Sequence, residues 1–89
     1  MQHYFENVPQ LGNVAVSRHA QEKMLQDRIS ERDFVFVLQA GRITPDGPEV
    51  VWREGRGIRI VILLKPEPFR GAKLAVSVYR VQMQERAKS

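Results

Sequence analysis

The sequence predicts an α+β fold, two N-terminal helices packed on one face of a three- to four-stranded antiparallel sheet, and three observations carry that reading. Residues 17–40 place apolar side chains at helical spacing behind two serine start signals. After residue 41 the pattern changes to alternation with a period of two, punctuated by proline and glycine turns. The length, 89 residues with 43% hydrophobic, suits one domain with a small core.

Taken in order, residues 1–13 read as an irregular lead-in. His3, Tyr4, Phe5, Val8 and Leu11 set no period, and Pro9 and Gly12 interrupt them. Residues 14–16 read as the end of a strand. Ser17 is a good N-cap, its hydroxyl suited to a free amide of the first turn. The helix it starts runs to about residue 28 and buries Ala20, Met24 and Leu25, with His19 and Lys23 one turn apart on a neighbouring face. Ser30 starts a second helix. Asp33 three residues on makes an aspartate version of the capping box, and Ile29 is placed to staple onto Phe34. Phe34, Val37 and Leu38 are its core positions, and Gly41 reads as a left-handed C-cap.

Residues 42–81 then read as the sheet. A short strand at 42–44 precedes the turn Pro45-Asp46-Gly47-Pro48. Strands at 49–53 and 58–64 flank Glu54-Gly55-Arg56-Gly57, which reads as a four-residue hairpin loop. A loop with two prolines and a glycine spans 65–73, and 74–81 is the clearest strand. Residues 82–89 form a polar tail. Alternation puts Ile58, Ile60, Ile62 and Leu64 on one side of their strand and Arg59, Val61 and Leu63 on the other. In the last strand Val76 and Val78 oppose Ser77 and Tyr79. The aliphatic sides belong under the helices, so an open, concave face carrying Arg59, Ser77 and Tyr79 is expected. Trp52 and Arg53 lie on opposite faces of their strand, and alternation alone does not say which faces the helices.

Composition narrows the function. The chain has no cysteine and two histidines, which removes disulfides and thiolate metal sites and leaves no metal centre or cofactor expected. The first twelve residues lack a basic segment followed by an apolar one, and the longest apolar run is residues 60–64. No signal peptide or membrane span is expected, and the location expected is the cytoplasm. The net charge is +4, and ten of the 14 basic residues are arginine, whose fork fits phosphate and whose plane stacks on bases. Nucleic-acid contact is the expectation, set against a charge that merely keeps a small domain soluble.

A neutral imidazole can exchange a proton at physiological pH, which makes His19 a candidate acid–base group. On spacing alone it reads first as a residue packing or capping near its helix start. Ser77 and Tyr79 read equally as ordinary strand residues. Trp52 reads as half-buried core, though beside arginines it can also stack a base. Paired carboxylates on one face are missing, which argues against acid-pair hydrolysis.

Ser17-Arg18-His19-Ala20, Glu22-Lys23-Met24 and Asp27-Arg28-Ile29-Ser30-Glu31, with the later Leu74-Ala75-Val76-Ser77-Val78-Tyr79, resemble the pattern of the domain of unknown function 4258, a family of small prokaryotic proteins. The resemblance covers most of residues 14–81. It implies a fold related to the RelE and barnase–colicin-like group of metal-independent ribonuclease toxins. It also implies RNA as substrate, free or ribosome-associated, and a cognate antitoxin protein as partner. His19, Ser77 and Tyr79 inherit candidate catalytic roles by position, with Arg59 added from alternation. Arg18, Lys23, Arg53 and Arg56 are the candidate nucleic-acid contacts. Lys23 departs from the pattern, which has arginine there. The alternative is a non-catalytic nucleic-acid- or protein-binding module of plasmid or phage origin.

Overall fold

The computed structural model describes residues 2–65 and 71–81. The chain runs β1 (Tyr4–Val8), β2 (Gly12–Val16), α1 (Arg18–Gln26), α2 (Glu31–Ala40), β3 (Arg42–Pro45), β4 (Val50–Gly55), β5 (Ile58–Leu63) and β6 (Lys73–Arg80). The six strands form one sheet in the order β1-β2-β6-β5-β4-β3. The expected polar tail and most of the loop before β6 lie outside the described residues.

The α+β class and both helices stand, but the expected three- to four-stranded antiparallel sheet behind two N-terminal helices does not. Two strands precede the helices, the sheet has six strands, and it is mixed, because β2 runs parallel to β6 with Val14 opposite Lys73 and Val16 opposite Ala75. Parallel pairing between segments so far apart in sequence leaves no local signature to read. The lead-in is equally instructive. Tyr4 pairs with Ala15 and Phe5 with Val14, and then the register shifts between Phe5 and Val8, where Asn7 takes a φ of +55°. That bulge puts Phe5 and Val8 both into the core and abolishes the two-residue period.

Helix α1 begins where the β2–β6 ladder stops. The Ser17 backbone N–H donates to the Ala75 carbonyl, and the Ser17 hydroxyl accepts from the Ala20 amide at 3.0 Å while donating to the Val76 carbonyl at 3.2 Å. One hydroxyl thus caps the helix and ties its start to β6. The helix ends in a Schellman arrangement, with Ile29 N–H bonded to the Met24 carbonyl, Arg28 N–H to that of Leu25, and Arg28 at φ +55°. Arg80 then donates to the exposed Asp27 and Arg28 carbonyls at 3.0 and 2.8 Å, a cation at the negative end of the helix. In α2, the Ser30 hydroxyl accepts from the Asp33 amide as expected. Ala20, Met24, Phe34, Val37 and Leu38 share a core with Val14, Ile58, Ile60, Ile62 and Val78, whereas Leu25 is exposed. A register irregularity between Val61 and Ile62 turns Ala75 rather than Val76 inward.

Three details differ from the sequence reading for physical reasons. Gly41 is an ordinary extended residue, φ −71°, not a left-handed cap. Glycine is required there by close approach, since a Cβ would lie 2.6 Å from the Val37 carbonyl oxygen and 2.7 Å from that of Glu54. The β4–β5 loop has two residues, not four. Gly55 pairs with Ile58, and Arg56 and Gly57 take φ values of +49° and +75°, the backbone of a type I′ turn. The third concerns Arg53, whose side chain is buried on the helix side. Its Nη1 donates to the Pro9 carbonyl at 3.0 Å and to the Gln10 side chain at 3.2 Å, and its Nη2 to the Gln39 carbonyl at 2.9 Å. The β1–β2 hairpin tip therefore folds back over the core to reach β4, and Phe5 packs on Phe34 at 6.3 Å between ring centroids. The sheet curls toward its helices, so the concave side is filled with core and the open face is on the outside of the curl.

Two stability outcomes are expected. Gly41→Ala forces a methyl against two backbone carbonyls, and a thermal melt is expected to show a loss of about 1–3 kcal/mol. Arg53→Met removes the donor that the Pro9 and Gln39 carbonyls share, and urea unfolding is expected to show a loss of about 1–3 kcal/mol. Unchanged stability in Arg53→Met would refute the tethering role.

Candidate functional site

The face of the sheet turned away from the helices is built by alternate residues of β3 to β6. Register sets them in rows, with Glu54 opposite Arg59 and Arg59 opposite Tyr79, and beside them Trp52 opposite Val61 and Val61 opposite Ser77. On β3, Thr44 and Arg42 lie opposite Trp52 and Glu54. The two-residue turn at Arg56 and Gly57 sets these partners, because changing its length by one residue would turn Glu54 to the other face relative to Arg59.

Arg59 is the centre of the cluster. Its Nε donates to Glu54 Oε2 at 2.6 Å and its Nη1 to the Tyr79 hydroxyl at 3.1 Å. Its guanidinium carbon sits 3.8 Å from the centroid of the Trp52 ring and 5.6 Å from that of Tyr79. Partial burial works against the charged form. The hydrogen bonds and charges of Tyr79 and Glu54 outweigh it and raise the pKa of Arg59 above its ordinary value. Arg42 approaches Glu54 at 3.8 Å with an 81% exposed side chain, so Glu54 stands between two cations. Glu54 and Arg59 side chains retain 16% and 22% exposure, which keeps the pair in reach of solvent while screening it less than a fully exposed one.

Of the residues singled out in the sequence, the structure brings Arg59, Tyr79 and Ser77 onto this one face. His19 is exposed in the first turn of α1, and no hydrogen bond, ion pair or ring contact joins it to that cluster. Arg18 is exposed on the same turn, and Lys23 pairs with Asp27 at 3.6 Å. Arg56, at the turn, pairs with Asp33 at 3.0 Å and lies over Phe36 at 3.7 Å. Arg53 is removed from any ligand surface by its 2% exposure, and burial lowers its pKa from the ordinary arginine value.

Trp52 and Glu54 are the cluster members that alternation did not place. The signal for both was the Arg56-Gly57 pair. Read as a two-residue turn, it sets Glu54 opposite Arg59 and Trp52 two residue pairs further along, on the same face. Among the described residues no group of three or more histidine, cysteine, aspartate or glutamate side chains is placed to hold a metal ion, and no helix is long and apolar enough to cross a membrane.

The arrangement defines a small α+β domain that covers one sheet face with helices and presents an arginine-centred cluster on the other. Residues 16–80 match the family model described as Domain of unknown function (DUF4258), and the chain belongs to that family. No curated protein and no solved structure matches it.

A double-mutant cycle on Glu54→Ala and Arg59→Ala, read by denaturant unfolding, is expected to give a coupling of about 1 kcal/mol, more than an isolated surface pair. Coupling indistinguishable from zero would mean that Glu54 does not hold Arg59 in solution.

Proposed function

We propose that this protein is a toxin-like, metal-independent endoribonuclease, or an RNA-binding relative of one, that handles RNA on the open sheet face in the cytoplasm. The observation that carries the reading is the fixed Arg59: a guanidinium pinned by Glu54 and Tyr79 and backed by Trp52, on the sheet face opposite the two described helices. A pre-positioned cation beside two hydroxyls, Tyr79 and Ser77, suits a phosphate whose charge grows during attack.

In this reading the ribose 2′-oxygen attacks the adjacent phosphorus and the bond to the 5′-oxygen breaks. A base takes the 2′ proton and an acid returns one to the leaving oxygen, giving a 2′,3′-cyclic phosphate and a 5′-hydroxyl end. Arg59 neutralises the phosphorane, and Tyr79 and Ser77 orient its oxygens. His19 is the proton carrier suggested by the family pattern, and Arg18 and Lys23 on the same helix supply further cationic contacts. A small acidic antitoxin is the protein partner this reading calls for.

The second reading, a non-catalytic nucleic-acid- or protein-binding module, draws support from one observation: no hydrogen bond, ion pair or ring contact joins His19 to the Arg59 cluster. Incubation of purified protein with RNA in EDTA separates the two. Under the enzymatic reading, cleavage leaves cyclic phosphate ends, and Arg59→Ala lowers the rate by about 10²–10³. His19→Ala lowers it by about 10²–10⁴ if His19 moves the proton. Salt-dependent binding without turnover selects the nucleic-acid module, and undiminished cleavage by His19→Ala removes His19 from the reaction.

A further inference from the structure

The bonds that hold Arg59 lie in the plane of its guanidinium. Nε is committed to Glu54 and Nη1 to Tyr79, while one flat side rests on Trp52 at 3.8 Å. A phosphate approaches a guanidinium edge-on and is held best by two parallel N–H bonds. Here the Nε edge is occupied by a carboxylate that also cancels charge, and half of the opposite fork is spent on Tyr79. The edge thus offers a phosphate a single free corner, at Nη2, rather than a two-bond clamp. The second flat side is different, since Trp52 stacks on one side, the Tyr79 ring centroid is farther off at 5.6 Å, the side chain keeps 22% exposure, and the two bonds stop the group from turning away.

We propose that this outer side of Arg59 is a stacking position for one unpaired base of single-stranded RNA, continuing the Trp52–Arg59 stack by a third plane. The inference rests on reading the open face as an RNA surface and names the substrate class for it. A base inside a duplex has both sides covered by its neighbours and cannot occupy the position. The nucleotide's phosphate is met by Arg59 Nη2, which has no hydrogen-bond partner among the described residues, and by the Tyr79 hydroxyl. That hydroxyl accepts from Arg59 and so keeps its own proton to donate. Val61, Leu63 and Leu74 continue the same face as half-buried apolar side chains, a flat surface suited to a neighbouring base.

Trp52 is the chain's single tryptophan, so its emission reports on the stack directly. Three ligands are titrated into the wild-type protein: a single strand of mixed sequence with 2′-O-methyl riboses, which cannot be cleaved by 2′ attack, the duplex of that sequence, and inorganic polyphosphate. The single strand is expected to change Trp52 emission saturably and to bind at least about tenfold more tightly than the other two. Arg59→Lys keeps the charge and loses the plane, and is expected to weaken single-strand binding about tenfold. Equal affinity for the three ligands, no binding of the single strand, or full affinity in Arg59→Lys overturns the stacking site. The ligand comparison needs no variant and holds whatever Arg59→Lys does to folding. Cleavage of the unmodified strand is read separately. Preferential binding without cleavage supports the stacking site while removing the enzyme, and cleavage with equal affinity for all three ligands removes the stacking site while keeping the enzyme.

Discussion

The parallel pairing of β2 with β6 is the constraint on which the rest of the molecule depends. It joins the beginning of the chain to its last described strand and places Ser17 at the end of a ladder, where one hydroxyl serves both the ladder and the helix. With that start anchored, α1 lies against β6, and Arg80 secures its far end through the Asp27 and Arg28 carbonyls. The short connection through Arg28 and Ile29 then delivers α2 onto β4 and β5. Both helices are thereby committed to one face, and among the described residues no helix lies on the other.

Two arginines on adjacent strands show how one residue type serves opposite ends. Arg53 and Arg59 face each other's neighbours across the β4–β5 ladder but project to different sides. Arg53 enters the core without a carboxylate and spends its donors on carbonyls of the hairpin tip and the end of α2, binding segments that would otherwise meet only through apolar contact. Burying an unpaired charge is costly, and it is tolerated because arginine spreads its charge and satisfies several acceptors at once. Arg59 stays within reach of water, with a carboxylate, a phenol and an indole fixing its orientation. The first stabilises the curl of the sheet. The second stays partly exposed to solvent.

Much of this was legible in advance, for reasons particular to the residues concerned. Ser17 and Ser30 act through hydrogen bonds to amides three residues away, so their helices are local facts. The alternation of Ile58, Ile60 and Ile62 with Arg59 is likewise local and placed Arg59, with Tyr79 and Ser77, on the open face. The misreadings have two causes. The close approach at Gly41 is made by Glu54, distant in the chain, whereas the Asn7 bulge and the left-handed Arg56 turn lie within their own hairpins and break the plain period-two alternation. Arg53 and Trp52 are neighbours whose fates diverge, and only contact with the β1–β2 hairpin decides which one is buried.

By itself, then, the sequence determined the two helices and their starts, the alternating strands, the membership of residues 16–80 in their family, and the side of β5 on which Arg59 stands. Each of those follows from interactions within a few residues or from a recurring motif. The tertiary structure decided the six-stranded mixed sheet, the inward curl, the burial of Arg53, the separation of His19 from the cluster and the assembly of Trp52, Glu54 and Tyr79 around Arg59. Those depend on register and on pairing between distant strands, and a one-residue shift in either would have exchanged the two faces without altering a single local preference.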